Sequence, residues 1–151
     1  MKLLGHHEID IRPARSPVDY LFLRALRNRV RRNMTNDTAA INYIQQLRFY
    51  LRKPTNVDIY IARRNSKRVG YILLRHEVST TLVTEAVDES CRRTGVAARM
   101  LQHAKQLHAD LTAEILAGNV ASIKLHQAAG FKFVSAEGDV QTFRFTRLDR
   151  G

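Results

Sequence analysis

Between Val57 and Val87 the chain reads with a period of two, and this stretch constrains the fold more than any other. "VDIYIA", "RVGYILLRH" and "STTLVTEAV" read as three successive strands. Only "RNSK" and "EV" separate them. Connections this short cannot carry a crossover, so the three strands are expected to be antiparallel neighbours.

On either side the period becomes helical. "EIDIRPA" is a short strand stopped by Pro13, and "SPVDYLFLRALRNRV" follows with Ser16 as N-cap and Pro17 at the first helical position. "NMTNDT" breaks that helix, and Thr38 can cap a second one, "AAINYIQQLRFYL". Ile41, Ile44, Leu47 and Leu51 are expected on its buried face, at spacings of three and four. After the three strands comes a helix with Val96, Met100, Ala104 and Leu107 on one side. "LTAEILA" is a further strand, and a helix from Asn119 to Ala129 ends at Gly130. "FKFVSA" and "QTFRFTR" close the chain as strands. The expected order is β-α-α-β-β-β-α-β-α-β-β: an α+β fold with a mixed, mostly antiparallel sheet of about seven strands flanked by four helices.

Composition sets the outer bounds. At 151 residues, 44% of them hydrophobic, the chain is expected to form one folded domain over 1–151. "MKLLGHHEID" lacks the apolar run of a signal peptide, and no stretch approaches the roughly 20 apolar residues of a membrane span. The lone Cys91 excludes an internal disulfide, so a cytoplasmic location is expected. A net charge of +11 suits acidic partners, but its arginines are spread along the chain and do not choose among nucleic acid, membrane and a phosphorylated small molecule.

The stretch "CRRTGVAARM", Cys91 to Met100, opens a helix with two arginines, a glycine and small residues. A helix start has free N–H groups and a positive dipole end. Gly95 permits close approach, Ala97 adds little bulk, and Arg92 and Arg93 can pair with phosphate oxygens. The spacing of a Walker loop or a dinucleotide fingerprint is absent.

Arg92 to Ala97, R-x-x-G-x-A, resembles the coenzyme-binding turn of the GNAT superfamily of N-acyltransferases. "NVASIKLHQAAGF" resembles that family's second block, with Asn119, Ser122, Ile123, Leu125, His126, Gly130 and Phe131 matching. The resemblance is good over residues 57–136. It implies acetyl-CoA as acetyl donor, no metal, and a V-shaped slot where the strand ending at Val87 parts from "LTAEILA". Backbone groups around Val87 would pair with the pantetheine arm, and the amides of Arg93, Thr94, Gly95, Val96, Ala97 and Ala98 would cradle the pyrophosphate. Asn119 and Ser122 would touch the lower coenzyme, and Lys124 would reach its phosphates. The family often has a second glycine where Arg93 stands, so Arg93 is expected to keep ordinary torsions and supply only its N–H.

Acetyl transfer to an amine needs a neutral nucleophile and a proton for the departing thiolate. His126 stands where many family members carry a tyrosine serving the sulfur, and imidazolium can give that proton; its plainer role is packing. Glu85 shares a strand face with Val87 and can take a proton from the substrate ammonium; its plainer role is pairing with an arginine. Cys91 lacks a base, and His103 and His108 are expected to face solvent. The acceptor pocket would be lined by the first helix and following loop, making Arg27, Asn28, Arg31 and Thr35 candidates, with Asn33 and Asp37 beside them. This points to an N-acetyltransferase, monomeric or homodimeric, acting by direct attack on a small acidic or phosphorylated amine such as an amino-sugar nucleotide. The alternatives are a peptide or protein N-acetyltransferase, and a nucleic-acid-binding module with a vestigial coenzyme slot; the second lacks the motifs of dedicated nucleic-acid readers.

Overall fold

The computed structural model describes residues 8–31 and 39–147. Their order is β1 (Ile9–Pro13), α1 (Pro17–Val30), α2 (Tyr43–Leu51), β2 (Val57–Arg64), β3 (Lys67–His76), β4 (Thr81–Val87), α3 (Val96–Leu107), β5 (Asp110–Leu116), α4 (Val120–Ala128), β6 (Lys132–Glu137) and β7 (Val140–Thr146). A 3-10 turn, Glu89–Cys91, precedes α3. The seven strands form one sheet in the order β1-β2-β3-β4-β5-β7-β6. Every neighbouring pair is antiparallel except β4–β5, which is parallel. No described helix is long and apolar enough to cross a membrane.

Local chemistry starts these elements. Ser16 accepts from the Asp19 amide at 3.1 Å while the Asp19 carboxylate accepts from the Ser16 amide at 3.2 Å, closing a capping box on α1. Asp19 is buried and also takes Arg63 at 3.0 Å and Arg68 at 2.8 Å, which ties α1 to β2 and β3. Burial opposes its charge, but two backbone amides and both guanidiniums hold its carboxyl well below the usual carboxylate range. Between β2 and β3, Asn65 and Ser66 both have positive φ, 52° and 65°, as a tight two-residue hairpin requires.

Two cores form on opposite faces of the sheet. Val83, Leu111, Ala113 and Ile115 pack with Val96, Met100 and Leu101 of α3. Tyr71 and Ala86 pack with Tyr20, Leu23 and Leu26 of α1. On α3 the buried face holds Leu101 instead of Leu107, which is 47% exposed.

α2 departs from expectation twice. It starts at Tyr43, capped by Asn42 in a box with Gln45, whereas the anticipated cap Thr38 lies outside the described residues. Its buried face is also the other one: Ile44, Leu47 and Leu51 are 64%, 56% and 67% exposed, and Gln46 is buried. Phe49 and Tyr50 turn inward onto Tyr20, with ring centroids 5.9 and 5.1 Å away, and Gln46 donates to the Tyr20 carbonyl. Two aromatic rings bury more area than the aliphatic stripe, so they set the rotation of the helix.

Candidate active site

β4 and β5 pair only at Thr81↔Leu111 and Leu82↔Thr112. Beyond that point, Thr84–Val87 and Ala113–Ile115 line a cavity of about 870 Å³. One end of the cavity reaches the start of α3 and the other lies against Leu23, Phe49, Tyr71 and Leu73 on the α1–α2 side.

The start of α3 is built to leave donors free. Gly95 is the N-cap, with φ +88° and no side-chain cap, and no acidic residue occupies the first turn. The other helices are capped by Ser16, Asn42 and Asn119. A Cβ at Gly95 would meet nothing within 4 Å, so the backbone is bare there. Arg92, Arg93, Gly95, Val96, Ala97 and Ala98 line the cavity, as does Val87. Arg64 holds the turn by donating to the Thr94 carbonyl at 3.0 Å, and the Thr94 hydroxyl bonds the Cys91 carbonyl. Arg93 corrects an expectation: its φ is +62°, a left-handed torsion that fits glycine better than arginine.

His126 and Glu85 meet. His126 Nε2 lies 3.0 Å from Glu85 Oε1, with the two side chains 2% and 10% exposed. Nδ1 lies 2.7 Å from the Ser122 carbonyl, which can only accept, so Nδ1 carries a proton. A bare Nε2 lone pair would then face a carboxylate, so a proton also resides between Nε2 and Oε1. At 3.0 Å and with both side chains nearly buried, the contact is a close ion pair. Burial opposes the imidazolium, but the Glu85 charge and the Ser122 carbonyl outweigh it and raise the His126 pKa. Glu85 is thus paired, with a histidine and not with an arginine.

The remaining candidates fall in different places. Asn119 and Ser122 line the cavity, and the Asn119 side chain also accepts from the Ser122 amide at 3.3 Å. Lys124 is exposed and outside the lining. Arg27 lines the cavity and donates to the Ala39 carbonyl at 2.9 Å. Asn28 braces the segment before α2, donating to and accepting from Ile41 at 3.0 and 2.8 Å. Arg31 is exposed and off the cavity, while Asn33, Thr35 and Asp37 lie outside the described residues. His103 and His108 are half-buried: His103 packs against Tyr60 and His108 against His76, with ring centroids 4.8 and 4.9 Å apart. Tyr71 lines the cavity, and burial raises its hydroxyl pKa well above the ordinary value, so it stays protonated.

Glu114 and Arg75 also line the cavity, in addition to the residues expected from the sequence. The signal was present in the period-two pattern of "LTAEILA", in which Glu114 alternates with the apolar Ala113 and Ile115.

A parted parallel strand pair, an uncapped helix start and a buried histidine–glutamate pair thus share one cavity in an α+β fold. Residues 21–131 match the model of the acetyltransferase (GNAT) family, and the chain belongs to that family. An N-acetyltransferase from Staphylococcus aureus Mu50 superposes with TM-score 0.74 at 24% identity, over 92% of this chain and 98% of that one. A ribosomal-protein-alanine N-acetyltransferase from Brucella melitensis gives 0.74 at 20% identity, over 91% and 99%. The yncA protein of Salmonella typhimurium, solved with its cofactor acetyl-CoA, gives 0.73 at 16% identity, over 94% and 95%. Among curated proteins none matches the sequence.

Proposed function

We propose that this protein transfers the acetyl group of acetyl-CoA to the primary amine of a small acceptor by direct attack in a ternary complex. The observation that carries the reading is the shared cavity: the gap between β4 and β5 and the uncapped start of α3 open into the same space. Acetyl-CoA, when bound, supplies a thioester carbonyl for the amine and a sulfur that leaves as thiolate.

The amides from Arg93 to Ala98 are free to donate to the pyrophosphate, and Arg92 and Arg93 add charge beside it. Val87 offers its backbone at the parted edge of β4. Asn119 and Ser122 bound the cavity at the start of α4. His126 holds the proton that the departing sulfur needs, and Glu85 keeps it there above the ordinary histidine range.

The finer acceptor reading, an amino-sugar nucleotide, draws its support from the α1 arginines. Arg27 alone among Arg27, Asn28 and Arg31 lines the cavity, which favours a smaller acceptor.

The test is thermal unfolding with acetyl-CoA. At about one hundred times Kd, ligand binding adds about 2.7 kcal/mol, or roughly 5–10 °C in Tm for a domain this size. Gly95→Glu, whose carboxylate would face the pyrophosphate, should abolish the shift while far-UV circular dichroism stays unchanged. An unmoved wild-type melting curve would sink the reading.

A further inference from the structure

We propose that Glu114 receives the acceptor's ammonium ion and takes its proton, and that Arg75 binds an anionic group at the acceptor's far end, so that the acceptor is a small amino acid or a close analogue. This rests on the acetyltransferase reading above.

Strand alternation sets the face to which each residue points. Val83, Leu111, Ala113 and Ile115 belong to the core on the α3 face. Alternation therefore turns Thr84 and Glu114 to the opposite face. Ala86 and Tyr71 are packed with α1 on that face, and Arg75 shares it, since it lies two and four residues from Leu73 and Tyr71 on β3. The two carboxylates lining the cavity thus occupy opposite sides of the sheet. Glu85, opposite Ile72, points toward α4 and is engaged by His126. Glu114 points toward the α1–α2 chamber.

Their partners differ as sharply. Glu114 is exposed and, among the described residues, has no hydrogen bond or ion pair. In a chain with 25 lysines and arginines against 14 acids, a carboxylate left unpaired in a cavity is available to a cationic ligand. Arg75 is likewise exposed to the cavity with no described partner, whereas Arg27 is anchored to Ala39.

The register sets the spacing. Arg75 is opposite Leu82, Leu82 is opposite Thr112, and Glu114 is two residues further on. Two strand spacings and two residue steps put the Cα atoms at least about 12 Å apart, and further as β5 parts from β4. Both side chains reach inward from there, leaving room for a molecule whose amine and acid are a few bonds apart. Leu23, Phe49, Tyr71 and Leu73 give its middle an apolar bed.

The proton count closes. The Glu114 carboxylate takes one proton from the ammonium and passes it to solvent. The neutral nitrogen forms the C–N bond as the C–S bond breaks, and the thiolate takes a proton from His126. The second proton shed by the nitrogen restores the His126–Glu85 pair. Two protons leave the ammonium: one is accounted for by the thiol, the other by solvent.

The test measures thiol release from acetyl-CoA with the free amino acids, each beside the amine left by removing its carboxylate. Wild type should acetylate at least one amino acid faster than its decarboxylated counterpart. Arg75→Met should raise KM for that amino acid about tenfold or more and leave the counterpart unchanged. Glu114→Gln should lower kcat/KM about tenfold or more near pH 7, with the loss shrinking toward about pH 10 as the amine deprotonates unaided. Calorimetric affinity for acetyl-CoA should be unchanged in both variants. Wild-type rates in Glu114→Gln, no preference for the acid over its counterpart, or no amino acid turned over while acetyl-CoA still binds would each overturn the proposal. Failure of wild type to bind acetyl-CoA would instead remove the reading beneath it.

Discussion

Arg93 and His126 each hold a state that their own chemistry disfavours, and neighbours keep them there. Arg93 has φ +62°, which costs a side-chain-bearing residue about 1 kcal/mol relative to glycine. Arg93→Gly should therefore raise stability by up to about that amount while weakening acetyl-CoA binding through the lost charge; chemical denaturation and calorimetry read the two effects separately. Burial disfavours the charged form of His126, and Glu85, 3.0 Å from Nε2, outweighs it and raises the pKa. A group whose folded pKa is raised loses its proton, and the stability that goes with it, as pH climbs above the ordinary 6.5 and through the raised value. If that proton serves the leaving sulfur, kcat falls along the same alkaline limb. Glu85→Gln removes the opposing charge and leaves burial dominant, so the limb should move to lower pH in a kcat–pH profile, and an unmoved limb would detach His126 from the chemistry.

Among the elements, α3 is the one whose packing and function cannot be separated. It lies on β3 at Gly70, where an added Cβ would stand 2.8 Å from the Ala86 carbonyl and 3.2 Å from Met100 Cε. Only a residue without a side chain lets the helix come that close to the strand bordering the cavity. Gly70→Ala should cost about 1–3 kcal/mol in denaturant unfolding and weaken acetyl-CoA binding as α3 shifts. Much of this level was legible beforehand. The α1 capping box, the strands of the β2–β4 meander and the helix start at Gly95 all follow from residues within a turn or two of one another. The rotation of α2 was not, because its sequence offers two apolar faces. Phe49 and Tyr50 prevail only because Tyr20, far away in the chain, is there to receive them.

For the molecule as a whole, the cavity sits at the parting between the three-stranded meander and the β5–β7–β6 unit, open toward both faces of the sheet. The excess of positive charge, conspicuous in composition, is not what organises it: its two carboxylates face opposite ways and do different work. The sequence by itself determined the element order, most helix starts and the coenzyme turn, since these depend on period and on contacts a few residues apart. Only the tertiary structure decided the pairing of Glu85 with His126, the left-handed torsion of Arg93 and the exposure of Glu114 toward the α1–α2 chamber. Each of these is settled by which surfaces meet across the sheet, and that is a competition between segments distant in the chain.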